Sequence, residues 1–317
     1  MKLNSVNHVA IIGTGMIGSS LAVLFTGNSY KTTMLAINDK EALSGKSRYD
    51  TYYEDLIDNQ LVTPAEAKAC GKLLHITQDY KDISDADFIF ECVFEQIDVK
   101  HSVYKQIEKN CYQCKAIASS TSAISAEDLV KGLVNKDKLI VAHPWNPPHL
   151  VPCVEVVRSQ YTSESALQFA VDILRSVGRE PIVMQKSAPG FIGNRLQHAM
   201  YREAVHMVEE GIATPDDIDK TIMSSFGPRY ASIGLFEHFD YAGLDMVANI
   251  EDYLFPTLCN ATQTQQLVKK HIAAGELGAK TGKGVYDWSQ KDLNKFRLSS
   301  EKPYFAYFNW DLPSDEE

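Results

Sequence analysis

The sequence predicts an α/β protein, a doubly wound and mainly parallel sheet followed by an all-helical C-terminal region. Three observations predict it. Short apolar runs alternate with helix-period segments as far as residue 187, and a glycine-rich turn follows the first of those runs. From Pro189 onward the signals are almost wholly helical. The 317 residues suffice for two domains, each with its own core. We expect them at 1–187 and 188–317, divided near Gln185-Lys186-Ser187-Ala188.

The elements follow in order. His8–Ile12 is a short apolar strand ending at Gly13, and Ser19–Thr26 continues as helix. Thr32–Ile37 reads as a second strand and Arg48–Asn59 as a helix rich in charge and tyrosine. Thr63-Pro64-Ala65-Glu66 has the form of a capping box with proline at the first helical position, and Gly71 ends that short helix. Phe88–Val93 and Ala116–Ser119 are further strands, with helical Val99–Lys109 between them. Ser125 caps Ala126–Gly132, Leu139–Ala142 leads as a strand into His143, and Val154–Val157 is the next strand. Leu167, Val171, Leu174 and Val177 then repeat at helical spacing behind a Thr162 or Ser163 cap, closed by Gly178, and Ile182–Met184 completes the sheet. Beyond it, a helix from Pro189 to Glu210 stops at Gly211, and Thr214-Pro215-Asp216-Asp217 opens another with acids in its first turn. The acidic end, Leu312–Glu317, is expected to fray.

Composition narrows the function. A hydrophobic content of 44% and a charged content of 23% are ordinary for a globular protein. A net charge of −10 argues against nucleic acid or an anionic membrane surface as the main partner. No apolar run is long enough to span a bilayer, and Met1–Asn7 has no apolar signal segment. The six cysteines are too sparse for a disulfide scaffold, so a reducing cytoplasm is expected. Cys111 and Cys114 form a lone C-x-x-C with no second ligand pair, which we read as accidental spacing. No H-x-x-H or acid cluster suggests a metal.

Gly13-Thr14-Gly15-Met16-Ile17-Gly18 fits G-x-G-x-x-G, directly after a strand and at the start of a helix. Glycines there permit a tight turn and let the backbone approach a pyrophosphate, which the helix N-terminus then binds. This Rossmann-like arrangement predicts a dinucleotide held by Gly13, Gly15, Met16, Ile17 and Gly18. The ribose-reading residue is Asn38 or Asp39, twenty and twenty-one positions after Gly18. An aspartate accepts from both ribose hydroxyls and repels a 2′-phosphate, favouring NAD, although Asp39 also suits a helix cap.

His143-Pro144-Trp145-Asn146-Pro147-Pro148-His149-Leu150-Val151-Pro152-Cys153-Val154-Glu155 carries the chemistry. Histidine exchanges a proton near neutral pH, and a carboxylate on its other nitrogen fixes the tautomer and stabilises the imidazolium. The run alone also fits a buried polar loop. Glu155 in an apolar strand points to pairing, because an unpartnered buried carboxylate is costly. His149 reads as a surface or loop residue, and His198 and His206 as packing or solvent residues.

Together with Ser119-Ser120-Thr121-Ser122, Pro189-Gly190-Phe191-Ile192-Gly193-Asn194-Arg195, Phe236–Asp245 and Lys280–Asp287, these motifs closely resemble the 3-hydroxyacyl-CoA dehydrogenase family over nearly the whole chain. The resemblance implies an NAD-dependent oxidoreductase in which His143 is the acid/base and Glu155 its orienting carboxylate. It implies that Ser122 and Asn194 bond the reacting oxygen, that Glu95 lies near the nicotinamide, and that Lys100 contacts the cofactor. It further implies a homodimer formed through the helical domains. Ser122 and Asn194 also suit local capping roles.

The resemblance implies a 3-hydroxyacyl-CoA substrate of the 3-hydroxybutyryl-CoA kind. The double proline after His143 and the segment Phe226–Gly234 depart from that pattern. They resemble the branch containing L-gulonate 3-dehydrogenase (lambda-crystallin) and carnitine dehydrogenase, which implies a free 3-hydroxy acid or small polar alcohol instead. In that alternative Arg229 binds a substrate carboxylate. The segment Lys46–Asn59, where the family contacts CoA, offers Lys46 and Arg48 among four acids. A non-catalytic, nucleotide-binding structural protein is the competing class, and the intact set of four site residues argues against it.

Overall fold

A computed structural model describes residues 2–313. It forms two compact units, one comprising the chain up to Ile192 together with the segment from Ser299 onward, the other Gly193–Leu298. The first holds one eight-stranded sheet. Its strands are β1 (His8–Ile12), β2 (Lys31–Leu35), β3 (Leu74–Thr77), β4 (Phe88–Glu91), β5 (Ala116–Ser119), β6 (Leu139–Pro144), β7 (Cys153–Arg158) and β8 (Glu180–Val183), in the order β3-β2-β1-β4-β5-β6-β7-β8. Adjacent pairs are parallel except β6 and β7. The helices α1 (Met16–Gly27), α2 (Asp39–Asp58), α3 (Pro64–Lys72), α4 (Ile97–Asn110), α5 (Ala126–Leu129) and α6 (Glu164–Ser176) connect them.

Alternation along the strands builds two apolar layers. Val9 and Ile11 of β1 belong to one layer with α1 and α6, whereas Ala10 and Ile12 belong to the other with Tyr104 and Ile107 of α4. Capping chemistry sets several helix starts. Thr63 makes both bonds of its capping box with Glu66, Ser125 accepts from Asp128 N–H, and Ser163 accepts from Ala166 N–H. Asn38 starts α2 nine residues before the expected Arg48, its side chain accepting from Glu41 N–H at 2.9 Å.

Strand β3 and the start of the helix after Pro189 also differ from the sequence reading, and the mainly parallel sheet contains one antiparallel pair. Strand β3 was not foreseen: it is a half-buried edge strand, and Leu-His-Ile-Thr carries little apolar signal. The pair β6/β7 is antiparallel because no helix crosses back between them. The helix expected from Pro189 starts at Gly193 instead, since Gly190 and Phe191 take positive φ values of 78° and 49° in a turn closed by Phe191 N–H on Ala188 O.

The second unit contains α7 (Gly193–Glu209), α8 (Pro215–Ser224), α9 (Leu235–Ala242), α10 (Leu244–Leu254) and α11 (Gln266–Ala273), and Thr214 with Asp217 forms the anticipated capping box. A further helix, α12 (Leu293–Glu301), carries the chain out of it. The units therefore divide a few residues after the expected 187/188 boundary, and the stretch from Ser299 joins the first. Tyr304, Phe305, Phe308, Trp310 and Leu312 pack against the layer formed by α1 and α6. The physical reason is apolar burial, since these side chains are partly covered only by that packing. Of the end expected to fray, residues 314–317 lie outside the described residues, while Leu312 is packed.

Trp310 sits over Gly27, where any added Cβ would collide with the indole, and its ring lies 4.4 Å from that of Phe308. The indole N–H is buried without an acceptor among the described residues. Trp310→Ala is therefore expected to lower stability by about 2 kcal/mol through lost packing. Trp310→Phe should retain most of it, since no hydrogen bond is lost. Thermal or denaturant unfolding checks both; equal losses in the two variants would contradict the packing account.

Candidate active site

The glycine turn follows β1 where the strand order reverses between β1 and β4, the position at which open α/β sheets bind ligands. Gly13 has φ 113°, its N–H donates to Leu35 O at 2.9 Å, and a Cβ there would stand 2.6 Å from Cys92 O. Gly18 has no room for a Cβ because the Gly13 carbonyl occupies it. Gly15 is open, with nothing within 4 Å of a Cβ position. No side chain caps α1 and no acid lies in its first turn, so its leading amides are left to an anion. The cradle fits a pyrophosphate. At the end of β2, Asn38 takes the capping role, and Asp39 is an exposed carboxylate that accepts from Gln78 Nε2 at 2.5 Å. Asp39 is thus not the cap.

The antiparallel register sets His143 directly opposite Glu155. His143 Nδ1 lies 2.9 Å from Glu155 Oε2, and Glu155 is only 1% exposed. The other carboxylate oxygen, Oε1, accepts from Ile192 N–H at 2.7 Å. The Phe191 and Trp145 rings flank the imidazole at 5.4 and 6.4 Å. With Nδ1 turned to the carboxylate, Nε2 is the atom available for proton exchange with a ligand.

The connection from Trp145 to Pro152, which includes a cis Asn146–Pro147 bond, is tied down from two sides. His149 is buried, contrary to the sequence reading. Its N–H donates to Ser20 Oγ at 3.0 Å, and its Nδ1 shares a 2.7 Å hydrogen bond with the same hydroxyl. Arg179, also buried, donates to Pro148 O and Val151 O at 3.1 and 3.0 Å. Burial pushes that guanidinium down to about 10. Ser20 belongs to α1, so the helix after the glycine turn and the loop after His143 share a side-chain bond.

A second cluster stands at the carboxyl ends of β4 and β5. Glu95 accepts from the Thr121 hydroxyl and from the Ser122 and Ala123 N–H groups at 3.2 Å. Partial burial opposes ionisation of Glu95, but the Thr121 hydroxyl and the Lys100 ammonium outweigh it and hold the carboxyl below its usual range. Ser122 itself is exposed on this turn. Lys100, expected to contact the cofactor, lies buried behind this turn. The side chain has no exposed surface, and its ammonium is held by Glu91 at 2.8 Å and Glu95 at 3.3 Å. Glu91, with Tyr104 and Ser119 bonded to it, escaped the sequence reading. A carboxylate closing the apolar run Phe88–Glu91 was the available signal, because such a group requires a buried partner.

In the second unit, Asn194 is the second residue of α7, and Arg229 is exposed with Nη1 3.2 Å from His238 Nε2. Cys111 and Cys114 are buried free thiols. Among the described residues no three potential ligands gather as a metal site, and no helix is long and apolar enough to cross a membrane.

Comparison with known proteins gives this arrangement its class. Residues 8–187 match the 3-hydroxyacyl-CoA dehydrogenase NAD-binding domain, and residues 190–288 match the C-terminal domain of the same enzymes. An L-carnitine dehydrogenase of Nocardiopsis dassonvillei is 35% identical over 80% of this chain and 77% of its own. The crystal structure of a 5-formyl-3-hydroxy-2-methylpyridine 4-carboxylic acid 5-dehydrogenase, described as an NAD+-dependent dismutase, superposes with a TM-score of 0.85 at 27% identity, covering 95% of this chain and 97% of that one. That of a (S)-3-hydroxybutyryl-CoA dehydrogenase from Ralstonia eutropha does so with a TM-score of 0.74 at 29% identity, covering 90% and 100%. The protein is an NAD-dependent oxidoreductase. It belongs to the 3-hydroxyacyl-CoA dehydrogenase family.

Gly18→Ala should displace the glycine turn, because the new methyl meets the Gly13 carbonyl. NADH binding is expected to weaken at least tenfold, roughly 1.4 kcal/mol. Fluorescence titration measures it, and wild-type affinity in a folded variant would show that the turn is not the nucleotide cradle.

Proposed function

We propose that the protein interconverts a 3-hydroxy and a 3-oxo group on a small free hydroxy acid or polar alcohol, with His143 as the acid/base. The observation that carries the reaction is the His143–Glu155 pair, in direct register and with the carboxylate buried. On oxidation, His143 Nε2 takes the hydroxyl proton, while Glu155 holds Nδ1 protonated and stabilises the imidazolium that forms. NAD, when bound, supplies the hydride acceptor. Ser122 and Asn194 hold the reacting oxygen, and in the reverse direction they polarise the carbonyl. Glu95 stands on the nicotinamide side and Asp39 on the ribose side.

The state of α2 supports a free acid over a thioester. Lys46 is held 2.6 Å from both carboxylate oxygens of Asp50, and Arg48 donates to Thr14 O at 3.0 Å. Of the two cations expected to meet a CoA phosphate, one is ion-paired at the surface and the other hydrogen-bonded to the main chain, on a helix that also carries Asp39, Glu41, Glu54, Asp55 and Asp58. Two of the proteins similar to this one are named for L-carnitine and for a pyridine 4-carboxylate, neither a thioester. Arg229 is then the partner for the substrate carboxylate, by bidentate pairing. All six cysteines are free thiols, in keeping with a reducing cytoplasm.

A homodimer through the helical unit completes the reading. Only Val205 and Ile218 among that unit's large apolar side chains are buried, whereas Phe236 and Tyr241 are 88% and 94% exposed. An apolar surface of this extent marks an interaction site.

Two measurements test these readings. NADH formation is compared for 3-hydroxybutyryl-CoA, 3-hydroxybutyrate, L-gulonate and L-carnitine. A free acid or alcohol should give the higher kcat/KM, Arg229→Gln should raise KM for it at least tenfold, and His143→Ala should cut kcat at least a hundredfold with nucleotide affinity kept. Preferred turnover of the thioester, unaffected by Arg229→Gln, would assign the enzyme to acyl-CoA; near-normal turnover in His143→Ala would remove the histidine from the chemistry. Light scattering should give twice the chain mass, and a monomer at micromolar concentration refutes the dimer.

A further inference from the structure

Lys100 and Tyr104 lie four residues apart on α4, so both reach the same carboxylate, Glu91, at the end of β4. Glu91 is fully buried and also accepts from Val93 N–H at 2.9 Å and from the Ser119 hydroxyl at 2.7 Å. Three neutral donors and one cation surround this single charge. A buried ammonium without a carboxylate costs several kcal/mol, so Glu91 is what allows Lys100 to lie inside the protein. The ammonium is not used up there. Its contact with Glu95 Oε2, at 3.3 Å, leads outward to a carboxylate that is 39% exposed.

Glu95 Oε1 in turn gathers the start of the turn after β5, through the Thr121 hydroxyl and the amides of Ser122 and Ala123. Thr121 Oγ1 accepts from Ile124 N–H at 2.9 Å and closes the turn. A carboxylate on a short loop has several rotamers of similar energy, and a fixed cation on one oxygen selects among them. The path thus runs from a rigid strand and helix to an exposed hydroxyl.

We propose that Lys100 is a positioning residue: buried between Glu91 and Glu95, it orients Glu95 so that this carboxylate fixes the Thr121–Ile124 turn and with it Ser122. Its effect on turnover rests on the role given to Ser122 above; its effect on the turn does not.

The test uses the full chain without nucleotide and reads amide hydrogen exchange at residues 121–124. Glu91→Gln with Lys100→Met removes both buried charges together, leaving no unpaired ion, and strips Glu95 of its cation. This variant and Glu95→Gln should each speed exchange of the Ser122 and Ala123 amides about tenfold. Combining all three changes should be no faster than Glu95→Gln alone, because the lysine acts through that carboxylate. Wild-type exchange in the double variant, or additive effects in the triple one, overturns the inference. If the double variant does not fold, Lys100→Gln keeps a weaker donor between the carboxylates and should speed exchange about threefold; wild-type rates there overturn it equally. In the same variants kcat/KM for the preferred hydroxy substrate should fall about tenfold. A loosened turn with unchanged kcat/KM upholds the positioning role and overturns that of Ser122.

Discussion

The antiparallel pairing of β6 with β7 is the constraint on which the candidate site depends. In a doubly wound sheet each connection normally crosses a face, and a strand end meets a helix. Here the chain instead doubles back after His143, so a residue twelve positions later returns opposite it. Cross-strand partners lie within side-chain reach without any long-range adjustment. Glu155 is thereby aimed at His143 by main-chain geometry, and the Ile192 amide takes up its second oxygen. A buried carboxylate with a fixed donor on each oxygen keeps one geometry, as an orienting group must.

The same logic recurs one strand pair away, with the charges reversed in emphasis. Glu91 anchors a cation inside the protein, and the cation steadies Glu95 at the surface. Both clusters place a buried carboxylate behind a polar group that reaches further toward the surface. The loop between Trp145 and Pro152 is stiffened more simply, by carbonyls accepting from the buried Arg179 guanidinium and by Ser20 gripping His149. Ser20 lies on α1, directly behind the glycine turn. Nucleotide cradle and histidine loop therefore share a mechanical base.

Much of this was legible in the sequence, for identifiable reasons. Six of the seven expected strands are largely buried and carry apolar runs, and the exposed edge strand β8 was read from its Ile182–Met184 run alone. The Thr63, Ser125, Ser163 and Thr214 caps were legible because side-chain capping is local chemistry. The edge strand β3 escaped because half its surface faces water. The start of α7 was misread because a proline followed by glycine suits a helix start and a tight turn alike. His149 shows the deeper limit. A side chain's polarity says that it needs partners, but not whether those partners are water, ligand or protein. Burial decides that, and burial is a property of the whole fold. The pairing of His143 with Glu155 was foreseeable from chemistry; their direct register was not.

The return of the segment from Ser299 to the first unit has a consequence for how the protein is made. Synthesis delivers β1 to β8 early, yet the aromatic side chains that finish one face of that sheet's core emerge only after the whole helical unit. A nascent nucleotide-binding unit must wait with that face uncovered, an apolar surface open to chaperones or to misassociation. Folding order is thus inverted relative to chain order: the first unit to be translated is the last to be sealed.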